Sequence, residues 1–424
     1  MTVPYKLYHY IGLIVALLLH PAITAFGNSG GSGYSRYGLG DIRYFSTSRA
    51  MGMGGASIAV LSTHSIDRNN PASWTKIANT RFSASALYEG YSTTDGINST
   101  FLSGMIFNGI MFAIPVDNEK GITIAGGFTP LSRINYNIIS PVSLGQYEYT
   151  LRYRGDGGLS QAQLGISASP HQNIHIGTKI IYYLGTVQHN VEQKFSSSQY
   201  TTSEVSRTTH LRGVGFTIGT IYTGLKSLFD LPGTNMLNVG AVFTSTSYLN
   251  TTSDRLFDYT VGTTVIRDTA ISPDGTLRLP FAIGVGLSFL SDRILLASDL
   301  YYQNWSRYTV NGLEDLNIRN SYRASAGGEL LPKRDASSAF FQRIAYRLGL
   351  FYHATYYKIR NEPINELGLT GGIGLPLFSD TRLNIGVEYA FRGTTNQQLQ
   401  KDKILRISFT LSGAELWFVR PQEE

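Results

Sequence analysis

The chain has 424 residues, no cysteine and only 15% charged residues, with 45 glycines, 27 tyrosines and 21 phenylalanines. The missing cysteine excludes a disulfide framework and thiolate metal sites. Low charge, against about a quarter in soluble domains, fits a surface that mostly meets lipid. A net charge of +6 with no clustered basic stripe argues against nucleic acid as a partner.

The first element expected is a signal peptide over residues 1–27. Lys6 supplies the positive start, Ile11 to Leu19 the apolar stretch, and Ala25-Phe26-Gly27 a small-x-small cleavage site. With no cysteine to follow it, a lipid anchor is not expected. The apolar stretch is well short of the ~20 residues a spanning helix needs, and no later run approaches that length. If the mature chain sits in a membrane, strands must cross it, because hydrocarbon tolerates only helices and closed barrels. Export to the outer membrane of a Gram-negative cell is the expected destination.

Residues 28–79 come next, rich in Gly and Ser. They contain Ser48-Arg49-Ala50-Met51-Gly52-Met53-Gly54-Gly55-Ala56 and Asn69-Asn70-Pro71-Ala72-Ser73-Trp74. The segment is too short for an ordinary domain and too specific for a linker.

From residue 80 onward the pattern is alternation. In Thr381 to Arg392, Leu383, Ile385, Val387, Tyr389 and Phe391 fall on one face. Arg382, Asn384, Gly386, Glu388, Ala390 and Arg392 fall on the other. The same alternation marks Ile174 to Gly185, Arg343 to His353 and Leu405 to Ser412. Such segments run well past the five or six residues usual in globular strands, and Tyr and Trp gather near their ends (Tyr88, Tyr91, Tyr147, Tyr149, Trp305, Tyr308, Tyr356, Tyr357, Trp417) as a membrane girdle would. The reading is all-β: a transmembrane antiparallel barrel over 80–418 and a periplasmic tail at 419–424. The count is about 14 strands, an even number as bacterial barrels require. Expected starts lie near Thr80, Thr100, Gly121, Tyr147, Asn173, Ser206, Asn235, Thr276, Arg293, Ile318, Phe341, Ile364, Thr381 and Lys403. Long polar loops are expected near Asn190 to Val205 and Thr252 to Gly275, on the side opposite the short turns. A barrel this size leaves a lumen too wide for side chains alone, so residues 28–79 are expected to fill it as a plug.

The Arg49-to-Ala56 run, followed downstream by Asn70-Pro71-Ala72, resembles the N-terminal hatch of the FadL/TodX long-chain fatty acid transporter family. Leu279-Pro280-Phe281 before Gly284 and Gly286, Asp299 followed by Trp305, and Tyr346-Arg347-Leu348-Gly349 agree with it. The resemblance spans the mature chain. It implies a 14-stranded barrel with a lumenal hatch, and passive uptake of a hydrophobic ligand, long-chain fatty acids among the candidates. It also implies lateral exit into outer-membrane lipid at a kink in the third strand, where this chain has Gly126, Gly127 and Pro130. The chain departs from the family in running six residues past Phe418, and its loops lack a clear apolar helical pair.

Hatch residues are therefore expected to be Arg49, Gly52, Gly54, Gly55, Asn70, Pro71 and Ala72, as plug elements and not as chemical groups. Lumenal Arg343, Arg347, Arg382, Arg392 and Arg406 could meet a ligand carboxylate, or pair with Glu388 and other lumenal acids to brace the wall. Enzyme readings fail on context. Gly27-Asn28-Ser29-Gly30-Gly31 has nucleophile-elbow spacing without the strand and helix that strain it. Gly52-Met53-Gly54 lacks a third glycine and a βαβ setting. His171 and His175 do not share a helix face, so no metal is expected, and no cofactor. A monomer is expected. The alternatives are a barrel of the same family acting as a scaffold or shuttle for secreted proteins and, behind it, an outer-membrane lipid-modifying enzyme.

Overall fold

Alternating side chains let one face of each strand meet lipid and the other the lumen, and the computed structural model follows that alternation around a closed wall. The structure describes residues 31–415 except 146, 198–199, 262–263, 334, 336 and 378–379. The expected signal peptide at 1–27, the start of the plug, Trp417, Phe418 and the tail at 419–424 lie outside the described residues.

The wall is built from β1 (Thr80–Thr94), β2 (Ser99–Asp117), β3 (Ile122–Pro130), β4 (Ser132–Leu144), β5 (Tyr147–His171), β6 (Ile174–Phe195), β7 (Ser203–Tyr222), β8 (Met236–Thr244) and β9 (Ser247–Val261). It continues through β10 (Thr264–Leu279), β11 (Ala282–Leu290), β12 (Ile294–Gln303), β13 (Ser321–Leu330), β14 (Ala345–Ile359), β15 (Glu362–Pro376), β16 (Arg382–Gly393) and β17 (Lys401–Glu415). Three staves are interrupted: β3 continues as β4, β8 as β9, and β10 as β11. The wall thus has fourteen antiparallel staves, and β17 pairs back onto β1 from Thr80↔Glu415 to Thr94↔Lys401 to close it. Among the described residues no helix is long and apolar enough to cross a membrane.

The faces sort as the alternation requires. On β16, Val387, Tyr389 and Phe391 are 40–44% exposed, while Glu388, Ala390 and Arg392 between them are at most 2% exposed. A closed wall with an apolar outside and a polar inside is the architecture of an outer-membrane β-barrel.

Two expectations about the upper rim are corrected. The segments 190–205 and 252–275 are mostly strand and not loop: β6 runs to Phe195, β7 starts at Ser203, β9 reaches Val261 and β10 starts at Thr264. Above the bilayer neither sheet face meets lipid, so pairing persists after the alternation is lost. Strands β5, β6 and β7 reach 25, 22 and 20 residues, where about 9–11 suffice to cross. Second, Tyr91, Trp305, Tyr308, Tyr356 and Tyr357 are buried inside and do not form a girdle. Trp305 stacks on Tyr356 at 4.3 Å, and Tyr357 meets Tyr34 of the N-terminal segment at 6.1 Å. Trp305 and Tyr308 lie on residues 304–320, which pair with Leu277 and Arg278 at one end and with Tyr357 at the other, while Tyr91, Tyr356 and Tyr357 are buried residues of β1 and β14 themselves. The outward aromatic row is Phe216, Phe243, Phe281, Tyr302 and Tyr322, each ring within 6.4 Å of the next.

Residues 31–79 lie in the lumen as a plug. They form a short 3-10 turn (Gly33–Arg36), a two-residue strand (Asp41–Ile42), the helix α1 (Ser48–Gly52) and a second 3-10 turn (Pro71–Lys76). Thr47 caps α1 by accepting from the Ala50 amide at 3.3 Å, and Asn70 caps the second turn with Pro71 at its first position. These turns are too short to stand alone. They are held by burial: Met51, Ile66, Ala72 and Trp74 are fully enclosed between plug and wall.

Candidate functional site

The plug is held by charge on one side of the barrel. Glu89 of β1 receives Arg43 of the plug and Arg406 of β17, and Arg406 also reaches Glu366 and Glu388. Arg392 joins Asp41 of the plug (2.7 Å) to Asp402 (3.1 Å). Arg49 of α1 grips Glu329 at 2.6 Å, the carboxylate that also takes Arg347 at 2.8 Å. Such buried ions are tolerable because each carboxylate has a guanidinium in contact; stripping one partner from such a pair costs about 3–5 kcal/mol.

On the far side main-chain contacts dominate. The Ser57 and Ile58 amides donate to one oxygen of Asp299 at 2.6 and 2.9 Å. Asn70 donates to the carbonyls of Ile58 (2.7 Å) and Thr220 (3.2 Å) while accepting from Ala72 N at 3.0 Å. It approaches β7 so closely that a Cβ on Gly219 would lie 1.9 Å from its Oδ1. Wall glycine and plug asparagine fit only as a pair. The same logic holds at α1, where a Cβ on Gly349 would meet Gly54 N at 2.4 Å. Gly54 itself, at φ +71°, donates to Thr370 Oγ1 (2.9 Å) and accepts from Arg323 (2.9 Å).

The wall is broken at one seam. β2 pairs with β3 only as far as Ile110↔Phe128, and β4 then turns away from β2. Instead β4 pairs with the plug, Asp41↔Arg133 and Ile42↔Ser132. Leu131 stands at the bend, donating to Leu159 O and accepting from Arg43 N, both at 2.8 Å. The bend opens a groove of about 770 Å³ on the barrel side, bordered by Met105, Phe107, Phe128, Pro130, Arg133 and Arg212. Arg43 lies at its inner end and also borders a cavity of about 100 Å³ between plug and wall, lined by Arg68, Lys179, Tyr183, Asp299 and Arg323. Lys179 donates to Gln163 (2.7 Å) and to the Arg68 carbonyl. Arg68 donates to the carbonyls of Pro130 (2.7 Å) and Arg43. Burial lowers the Arg68 pKa to about 10, which leaves it charged at neutral pH.

The sequence-selected residues are distributed as follows. Arg49, Gly52, Gly54, Gly55, Asn70, Pro71 and Ala72 all sit at the plug–wall boundary, Gly52 through its carbonyl on Thr370 (3.2 Å). Arg347, Arg392 and Arg406 point inward and are held by acids, and Arg382 starts β16 on the lumenal side, partly buried. Arg343 is a correction. It ends a 3-10 turn (Phe340–Arg343) ahead of β14 and is not a lumenal wall residue, because the strand begins only at Ala345. The kink is a second correction. Gly126 and Gly127 keep ladder partners on both sides, their missing side chains admitting β2 and β5 closely, and the bend falls at Leu131 just after Pro130. His175 faces Thr75 of the plug at 3.0 Å, while His171 is exposed. Sequence reasoning missed Asp41, Glu89 and Glu329, and it named Asp299 only as a feature of the resemblance, without its role as acceptor for the plug. Their signal was an acid on the polar face of a wall strand or in the plug, but which basic or amide partner it meets depends on how the plug lies. Among the described residues no group of three acids or histidines could hold a metal ion.

A family model described as BamG matches residues 10–422. No curated protein matches in sequence. Among solved structures, the CymD monoaromatic hydrocarbon channel superposes with a TM-score of 0.58 at 12% identity, covering 90% of this chain and 99% of that one. A Pseudomonas aeruginosa FadL homologue gives 0.58 at 12% identity, covering 88% and 98%. The Ralstonia pickettii toluene transporter TbuX gives 0.56 at 12%, covering 87% and 98%. At this identity the likeness is one of fold.

Proposed function

The chain belongs to the BamG family, and on that premise we propose that it passes hydrophobic small molecules through the break in its wall, with long-chain fatty acids as the class to test first. The observation that carries this reading is the β2–β4 opening: a groove of about 770 Å³ whose apolar part, at Phe107, Phe128 and Tyr182, continues the lipid-facing surface and which reaches inward to a plug residue, Arg43. Its volume falls within the ~300–1,000 Å³ of ordinary ligand pockets. The cavity of about 100 Å³ under the plug does not, so entry from the lumen requires the plug to shift. Three proteins sharing the fold are titled as a monoaromatic hydrocarbon channel, a FadL homologue and a toluene transporter, which supports a hydrophobic cargo.

The test uses the natural absence of cysteine. Phe107 and Phe128 stack across the lower end of the opening at 6.3 Å. In cells lacking the native gene, a Phe107→Cys/Phe128→Cys protein bridged by a short bifunctional thiol reagent should lose radiolabelled oleate and toluene uptake. A cleavable bridge should restore it on reduction. Uptake that matches the wild type in the gene-deleted strain itself would remove both ligand classes.

A second reading has its own observation. The lumen is filled, with ion pairs joining plug to wall at Glu89, Glu329 and Arg392, as suits a barrel that acts as a scaffold or shuttle in protein secretion. That reading predicts co-purification of secreted or surface-exposed proteins with the barrel, undiminished by the bridge that stops uptake.

A further inference from the structure

The groove at the break has a chemical polarity that passage does not require. Its lower part is apolar, with Phe107 and Phe128 on one side and Tyr182 on the other, and Met105 and Leu184 border the part above. Phe107 and Tyr182 are among the outward-facing exposed residues of the wall, so this part is continuous with the surface that meets acyl chains. The upper part is cationic. Arg212 of β7 stands beside Leu184 in the β6–β7 register, and Arg133 is the second residue of β4 across the groove. Glu89 and Asp41 are the acids that share a small cavity with Arg133; Glu89 is already in contact with Arg43 and Arg406, and Asp41 with Arg392. Asp156 also borders the groove and already has a partner within the protein. His210 lies at the same end, 3.0 Å from Thr186.

We propose that this groove is a binding site for one membrane lipid with an anionic, phosphate-bearing headgroup, its acyl chain along Phe107, Phe128 and Leu184 and its phosphate between Arg133 and Arg212. Charge complementarity selects the occupant. Two guanidinium groups on separate strands face the same space, and a phosphate, with several acceptor oxygens, can take hydrogen bonds from both at once. The seam supplies the second reason. Above Ile110 the β2 edge has no β3 or β4 partner, and unpaired main chain at hydrocarbon depth is tolerated only where something other than lipid tails covers it. A headgroup drawn down between the arginines brings acceptors and ordered water to that edge. The site goes beyond the uptake reading and does not depend on it: a resident lipid would occupy the groove of a channel and of a scaffold alike.

The test is native mass spectrometry of the full barrel in detergent, titrated with phosphatidylglycerol, phosphatidylcholine or oleate. The wild type should retain phosphatidylglycerol at least fivefold better than phosphatidylcholine. Arg133→Gln/Arg212→Gln should abolish that preference, whereas Arg267→Gln, a substitution on the far hairpin, should leave it intact. Met105→Trp, which fills the groove and keeps both charges, should lower retention of both phospholipids. Heat-modifiable migration in gels confirms that each variant is a folded barrel. Equal retention by the double variant and the wild type overturns the proposal. So does displacement of phosphatidylglycerol by equimolar oleate, which would assign the groove to a carboxylate cargo.

Discussion

Two seams of the same wall, both flanked by alternating strands, end differently. Where β17 meets β1 the pairing runs unbroken from Thr80↔Glu415 to Thr94↔Lys401. Where β2 meets the third stave, pairing stops at Ile110↔Phe128 and the upper half turns inward to the plug. Beneath the closed seam the lumen is crowded with paired ions, Glu89 with Arg43 and Arg406 foremost. At the open seam the plug contributes backbone: the Asp41–Ile42 strand and the Arg43 amide take ladder positions on β4 and Leu131 that a wall strand would otherwise fill. The lesson is that the opening is not a weak point left by a poor strand sequence. It is a competition for one strand edge, which the plug wins because charges at the neighbouring closed seam hold it in place.

The comparison breaks most severely if those charges are removed. Glu89→Ala leaves Arg43 and Arg406 short of their shared carboxylate and should destabilise the barrel by about 3–5 kcal/mol, read as a lowered urea midpoint. Glu89→Gln should cost less, since the amide oxygen still accepts. If both variants unfold like the wild type, the ions do not hold the plug. Next in size is Gly219→Val. Its Cβ would fall on Asn70 Oδ1, so the plug must move at a cost of roughly 1–3 kcal/mol. Single-channel recording should then show openings that the wild type lacks. Asp299→Ala removes the acceptor for two plug amides and should cost roughly 1–3 kcal/mol. Proteolysis should then reach the segment around Ser57 and Ile58 sooner, while Asp299→Asn should behave nearly as the wild type. The smallest change expected is at the bend itself. Pro130→Ala should shift stability by under roughly 1 kcal/mol, because the edge is taken by the plug and not freed by the proline. A closed groove in Pro130→Ala, detected as lost labelling of a cysteine placed at Met105, would return the cause of the break to local sequence.

Much of the barrel was legible because a bilayer imposes a strict rule on each strand. Ile174 to Leu184 and Leu383 to Phe391 alternate so regularly that their lipid and lumen faces follow from the order of residues alone. The rule stops at the edge of the bilayer, which is why the paired strands within 252–275 read as loop. It also says nothing of aromatics that face inward, which is why Trp305 and Tyr356 read as girdle.

The sequence by itself determined the number of staves, their facing, and the presence of a compact N-terminal segment with an Asn-Pro turn. Each of these depends on neighbours along the chain or on a single partner medium, lipid. Only the tertiary structure decided where the wall opens, that Asp299 receives the plug, and that Glu89 joins plug to seam. Those outcomes depend on residues 46 to 317 positions apart competing for the same edge or the same charge, and nothing in the local order of residues ranks the competitors.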